Sequence, residues 1–161
     1  MITAKEQMEL VEKALDDYEN NCGLPTATNP CTQEELQQYF AMNRDQIEKL
    51  SGEDCGQIAT RLTQYAFYIQ RLHNREHSRL VWANNQINDT ISTELGSFDK
   101  YMKHETKVAL IKKSNAYAQS LGKIIVYAEQ RIQRLNFLAA SIKNLADMML
   151  ANKRSKYVKS N

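Results

Sequence analysis

What this chain has little of narrows its class before any motif is considered. Five glycines and two prolines in 161 residues are too few turn formers for an all-β fold, whose short strands need frequent reversals. No apolar run approaches the roughly 18 to 20 residues of a membrane span. Met1 to Leu10 also lacks the charged start, apolar stretch and cleavage site of an export leader. The expected location is therefore the cytoplasm of a bacterial or phage-infected cell, with no membrane partner. Only three cysteines occur, Cys22, Cys31 and Cys55. They cannot all pair within one chain and belong to no Cys-x-x-Cys or Cys/His cluster with zinc spacing. They are read as reduced thiols, and a Cys22–Cys31 bridge across the Pro25/Pro30 loop is disfavoured in a reducing compartment.

Nucleotide chemistry is missing as well. There is no Gly-x-x-x-x-Gly-Lys-Ser/Thr string and no Gly-rich turn to cradle phosphate. The one enzymatic pattern is His73-Asn74-Arg75-Glu76-His77, which matches the His-x-x-Glu-His string of a zinc protease class. A catalytic zinc needs a third protein ligand and an enclosed cleft, which a chain made chiefly of long helices has little material to build. That string is read as a solvated helix face shared with Arg71, Arg75 and Arg79. Neither enzymatic activity, nor a metal, nor a cofactor is expected.

What is present is helical periodicity. With 42% hydrophobic residues the chain is too apolar for disorder, and its length fits one ordinary domain. The capping box Thr3-Ala4-Lys5-Glu6 opens a short helix to about Asn20 through Met8, Val11, Leu15 and Tyr18. Gly23, Pro25 and Pro30 end it. A second box, Thr32-Gln33-Glu34-Glu35, opens a helix carrying Leu36, Phe40, Asn43, Ile47 and Leu50, which stops near Ser51-Gly52. From about Glu53 the scale changes. Ile58, Leu62, Tyr65, Ile69, Leu72, Leu80, Ala83, Ile87 and Ile91 keep one stripe, with no Pro or Gly from Ile58 until Gly96. That predicts one helix of roughly 40 residues, about 60 Å at 1.5 Å per residue. After Gly96-Ser97 a second stripe predicts another helix at least as long, through Leu110, Tyr117, Leu121, Ile124, Ala128, Leu135, Leu138, Ile142, Leu145 and Met149. Two long helices joined by two or three residues fold back on each other.

The expected fold is thus all-α: an acidic helical region over 1–52, a coiled-coil-like antiparallel hairpin over 53–152, and a basic, frayed tail over 153–161. The apolar width exceeds what a two-helix contact uses. The first two helices, or neighbouring subunits, are therefore expected to cover the remainder, with Leu121, Ile124, Leu135, Leu138, Ile142, Leu145 and Met149 assembling the chain into a homo-oligomer.

Charge is divided along the chain. Residues 1–96 hold eight Lys/Arg against fifteen Asp/Glu, a balance of −7, and residues 97–161 hold thirteen against four, a balance of +9. The second part is suited to an anion or to the acidic part of another subunit. Lys100, Lys103, His104, Lys107, Lys112 and Lys113 fall within fourteen residues, opposed only by Glu105, with Tyr101 among them. Lysines neutralise phosphates and an adjacent aromatic stacks on an unpaired base; the alternative is a solvated Lys-rich face. A second candidate surface is Arg71, Arg75 and Arg79 with Trp82, where the alternative is that Trp82 belongs to the core. Tyr65, Tyr68, Tyr117 and Tyr127 lie on or beside the stripes and are expected to pack, the alternative being that they serve as platforms for bases.

The layout is similar to a known family. An acidic start, the aromatic-rich helix Tyr65-Ala66-Phe67-Tyr68-Ile69-Gln70-Arg71-Leu72, a basic middle and a closing helix Leu135-Asn136-Phe137-Leu138-Ala139-Ala140-Ser141-Ile142-Lys143-Asn144-Leu145-Ala146-Asp147-Met148 resemble the UvsY-like recombination mediators of tailed phages. The resemblance spans residues 55 to 150. It implies a ring-like homo-oligomer that binds single-stranded DNA and helps load a recombinase onto strands coated by a single-strand-binding protein. The family's DNA-contacting segment falls at Ile91 to Ser97, which has no basic residue. Phe98-Asp99-Lys100-Tyr101-Met102-Lys103 is its nearest counterpart, and the acidic N-terminal region is additional to the pattern. A competing expectation is a phage-encoded coiled-coil protein without DNA contact: a host-enzyme inhibitor or adaptor working through its acidic Thr3 to Asp54 region, or a virion component.

Overall fold

The structure, a computed structural model, describes residues 2–159, without the side chain of Lys159. Met1 of the expected acidic region and Ser160 and Asn161 of the expected tail lie outside the described residues. The described chain is all-helical: α1 (Ala4–Asn21), α2 (Gln33–Ala41), α3 (Arg44–Lys49), α4 (Gly52–Glu94), a 3₁₀ turn (Leu95–Ser97), α5 (His104–Ser114), α6 (Ala116–Leu135) and α7 (Leu138–Lys159). None of these helices is long and apolar enough to cross a membrane. All three cysteines are free.

Local chemistry sets the helix starts. Thr3 Oγ1 accepts the Glu6 N–H at 3.2 Å while the Glu6 carboxylate accepts the Thr3 N–H at 2.7 Å. Thr32 and Glu35 repeat the exchange at 3.2 and 2.7 Å. Each box satisfies helix donors that have no partner within the helix. In both, the backbone hydrogen bond holds the Glu carboxyl below the ordinary glutamate range. At its far end α1 closes in a Schellman motif. Gly23 sits at φ 84°, the Gly23 N–H reaches Asn20 O at 3.0 Å and the Leu24 N–H reaches Glu19 O at 3.0 Å, a backbone conformation that favours glycine.

Four expectations need correction. The helix predicted from Thr32 to Leu50 is two helices, because Asn43 exchanges hydrogen bonds with Gln46, both at 2.9 Å, and so caps α3. The connection after α4 takes nine residues, Leu95 to Lys103, rather than two or three. The second long helix is three. Asn115 ends α5 through its N–H to Ile111 O at 2.9 Å and starts α6 by accepting the Ala118 N–H at 2.9 Å; its amide also donates to Glu94. Finally, residues 153–159 are not frayed but form the end of α7. There Asn152 donates to Ile47 O at 2.9 Å, and Lys156 donates to Glu48 O at 2.7 Å and to Leu50 O, satisfying carbonyls that α3 leaves open.

The break between α6 and α7 has a different origin. Phe137 there adopts φ 60° with 77% of its surface exposed. A left-handed conformation costs a Cβ-bearing residue roughly 1 to 2 kcal/mol, and an exposed ring recovers little of that by packing. Phe137→Gly is therefore expected to raise unfolding stability in urea by about 1 kcal/mol. An unchanged or lowered stability would mean that the ring contributes contacts that offset the strain.

The chain forms two compact units: residues 1–26 with 74–133, and residues 27–73 with 134–161. Helix α4 contributes to both. In the first unit its Ala83, Ile87 and Ile91 pack with Ala4 of α1, Ile111 of α5, and Ala118 and Leu121 of α6. In the second its Ile58, Ala59, Leu62, Ala66 and Ile69 pack with Ile142, Ala146 and Met149 of α7, flanked by Tyr39, Met42, Ile47 and Leu50 from α2, α3 and the adjoining turns.

Candidate nucleic-acid interface

The basic stretch begins in the loop after the 3₁₀ turn. Two anchors hold it. Phe98 packs against the first unit's core, and Asp99 accepts the Tyr101 N–H at 3.0 Å in a local turn. With Met102 half-buried, Lys100, Tyr101, Lys103 and His104 are left facing solvent. Tyr101 is 95% exposed, so both faces of its ring are open to solvent. Helix α5 then buries Ile111 completely and sets Val108 against the same core, leaving Lys107 half-buried and Lys112 and Lys113 exposed. The last two stand in the final turn, where positive charge also complements the helix dipole. Among the described residues, none of Lys100, Lys103, Lys107, Lys112 and Lys113 is held in an ion pair.

The arginine surface differs. Arg75 pairs with Asp16 of α1 at 2.7 Å. Arg79 pairs with Glu12 of α1 through two nitrogens and with Glu76 at 2.6 Å. The hydrogen bond to Glu12 is the main reason that the Arg79 guanidinium is held above its ordinary range. Arg71 lies 6.0 Å from the Phe67 ring centre, a cation–π contact. Trp82 is half-buried against the first unit's core. Arg75 and Arg79 thus fasten α1 to α4 through Asp16 and Glu12.

Glu76 of the His-x-x-Glu-His string is 7% exposed and accepts from both Arg79 and Arg131, the latter at 3.4 Å. Among the described residues no cluster of three or more His, Cys, Asp or Glu side chains is placed to hold a metal. No family model, curated protein or solved structure matches the chain.

The expected assembly residues are also placed differently. Leu121, Ile142 and Met149 are buried inside their own units, and Ile124, Leu135 and Leu145 pack around those cores. They are internal core, because the shorter helices bring more apolar cover than a bare two-helix contact would. Leu138 alone stays substantially exposed, at 37%. Large apolar side chains that do face solvent include Val126, Phe137 and Met148. Of the four tyrosines expected to pack, Tyr65 and Tyr68 border the second unit's core and Tyr117 the first's. Tyr127 instead is 63% exposed. Its exposure favours the base-platform alternative, and its four-residue spacing with Lys123 and Arg131 is a signal present in the sequence.

Proposed function

We propose that this chain is a single-stranded-DNA-binding accessory protein of recombination, which assembles with copies of itself and helps load a recombinase onto strands coated by a single-strand-binding protein. It would act in the cytoplasm of a bacterial or phage-infected cell. The observation that carries the DNA-binding part is the loop and helix from Lys100 to Lys113, with five lysines that form no ion pair among the described residues around a tyrosine that is 95% exposed. Such a surface neutralises backbone phosphates and offers a ring face to an unstacked base. The recombinase and single-strand-binding partners rest on the resemblance to UvsY-like mediators. Assembly draws support from the exposed apolar residues of α6, α7 and their junction, Val126, Phe137 and Met148 among them.

The competing reading, an adaptor acting through its acidic helices without touching DNA, finds less support. Glu12 and Asp16 are turned onto arginines of the same unit, and Glu35 pairs with Arg61 at 3.2 Å. The test is titration of a labelled, unstructured oligonucleotide at several salt concentrations. Five lysines on a single strand predict a slope of log affinity against log salt of about −3.5 per protomer. A slope near zero, or no binding at low salt, would remove the DNA-binding reading and leave the adaptor.

A further inference from the structure

We infer that the ridge Lys123–Tyr127–Arg131 on α6 is a second contact for an unpaired polynucleotide strand, with the Tyr127 ring as a platform for one base. The inference rests on the DNA-binding reading above but concerns a different face of the first unit. Four-residue spacing puts the three side chains in a row on one side of α6. Lys123 and Tyr127 stand between two hollows and border both. One, of about 370 Å³, is bounded across from the ridge by the first turn of α1 and by Arg79 of α4. The other, of about 710 Å³, is bounded by Asn84 and Asn88 of α4 and Lys112 of α5. Both volumes fall in the roughly 300 to 1,000 Å³ range of ligand-sized pockets.

The chemistry of the rims fits a strand better than an apolar partner. Five cations line the two hollows: Lys5 is paired with Glu9 at 3.8 Å, Arg79 and Arg131 share Glu76, and Lys112 and Lys123 remain for a strand. The acid among the lining residues, Glu76, is buried and already shared by Arg79 and Arg131. Lys123 and Lys112 have no ion-pair partner among the described residues. An exposed aromatic flanked on its own helix by two cations, over a floor that includes Ile87 and Val126, combines phosphate neutralisation with a stacking surface. Asn84 and Asn88, one helical turn apart, carry amides that both donate to and accept from base edges. Lys112 belongs to both this groove and the Lys100–Lys113 stretch, so one strand can engage the two contacts in succession.

The experiment compares the full-length protein with Tyr127→Leu, Tyr127→Phe and Lys123→Gln, each checked for unchanged helix content by circular dichroism. Two probes are used: an oligothymidylate of about 20 nucleotides and an abasic strand of the same length. Stacking predicts that Tyr127→Leu weakens oligothymidylate binding about tenfold and leaves abasic binding unchanged, with Tyr127→Phe within about twofold of the original. Lys123→Gln is expected to weaken both probes about threefold and to flatten the salt slope by about 0.7. Unchanged oligothymidylate binding by Tyr127→Leu, or equal weakening of both probes, overturns the platform while leaving the Lys100–Lys113 interface standing. If the unaltered protein binds neither probe at low salt, the broader DNA-binding reading fails and takes this one with it.

Discussion

The triple variant Lys100→Glu/Lys103→Glu/Lys107→Glu is expected to lose about a hundredfold or more in affinity for an unstructured oligonucleotide at low salt, and to flatten the salt slope by about 2. Three cations that release counterions are replaced by three anions that repel the strand. The substitutions are chosen so that unfolding does not mimic the effect. Lys100 and Lys103 are exposed loop residues, and Lys107 lies in the first turns of α5, where a carboxylate is favoured by the helix dipole. Lys112 and Lys113 are unsuitable for the same purpose, since acids in the last turn would weaken the helix itself. An adaptor that works through its acidic helices would bind its partner as before, and its behaviour toward oligonucleotide would not change.

Arg79→Met is expected to do the opposite: to cost about 3 kcal/mol of unfolding stability in the first unit and to leave the salt slope for oligonucleotide where it was. Arg79 is tied to Glu12 and Glu76, whose side chains are only 20% and 9% exposed. Truncating the guanidinium leaves Glu12 without its partner and Glu76 with only the 3.4 Å contact to Arg131, and a buried charge that loses its partner is penalised more than the pair was worth. Adding Glu12→Leu and Glu76→Leu to Arg79→Met should recover most of the loss, because matched apolar groups are tolerated where an isolated charge is not. Chemical denaturation measures the first effect and the salt titration the second. A flattened salt slope in Arg79→Met would return that arginine to the DNA-contacting surface.

Much of the architecture was legible in the residues, and the reasons are specific. Thr3 with Glu6 and Thr32 with Glu35 announce helix starts because the exchange of hydrogen bonds needs only residues three apart. Helix α4 was legible because its apolar stripe continues without Pro or Gly from Ile58 to Leu95. The breaks at Asn43, Asn115 and Phe137 were not. Asparagine is tolerated within a helix, and whether its side chain takes the backbone's hydrogen bonds depends on context; for Asn115 that context includes Glu94, 21 residues away. Phe137 adopts a backbone conformation that its residue type disfavours, so no propensity argument would place a break there.

The candidate sites divide along the same line. The concentration of lysines from Lys100 to Lys113 is a property of composition and could be read directly. The partners of Arg75 and Arg79 lie 59 and 67 residues away on α1, and only folding reveals that these cations are taken. The stripe from Leu121 to Met149 was correctly apolar, but periodicity alone does not say whether an apolar face is covered by the same chain or by another copy. Tyr127 was misjudged for the related reason that an aromatic beside a stripe has two possible faces.

The most direct measurement of the central claim, that this helical chain assembles and takes up an unpaired strand, is native mass spectrometry of the purified protein with and without an unstructured oligonucleotide. The account predicts a discrete oligomer whose mass rises by that of bound strand. A monomer that remains free of oligonucleotide at low ionic strength would contradict it.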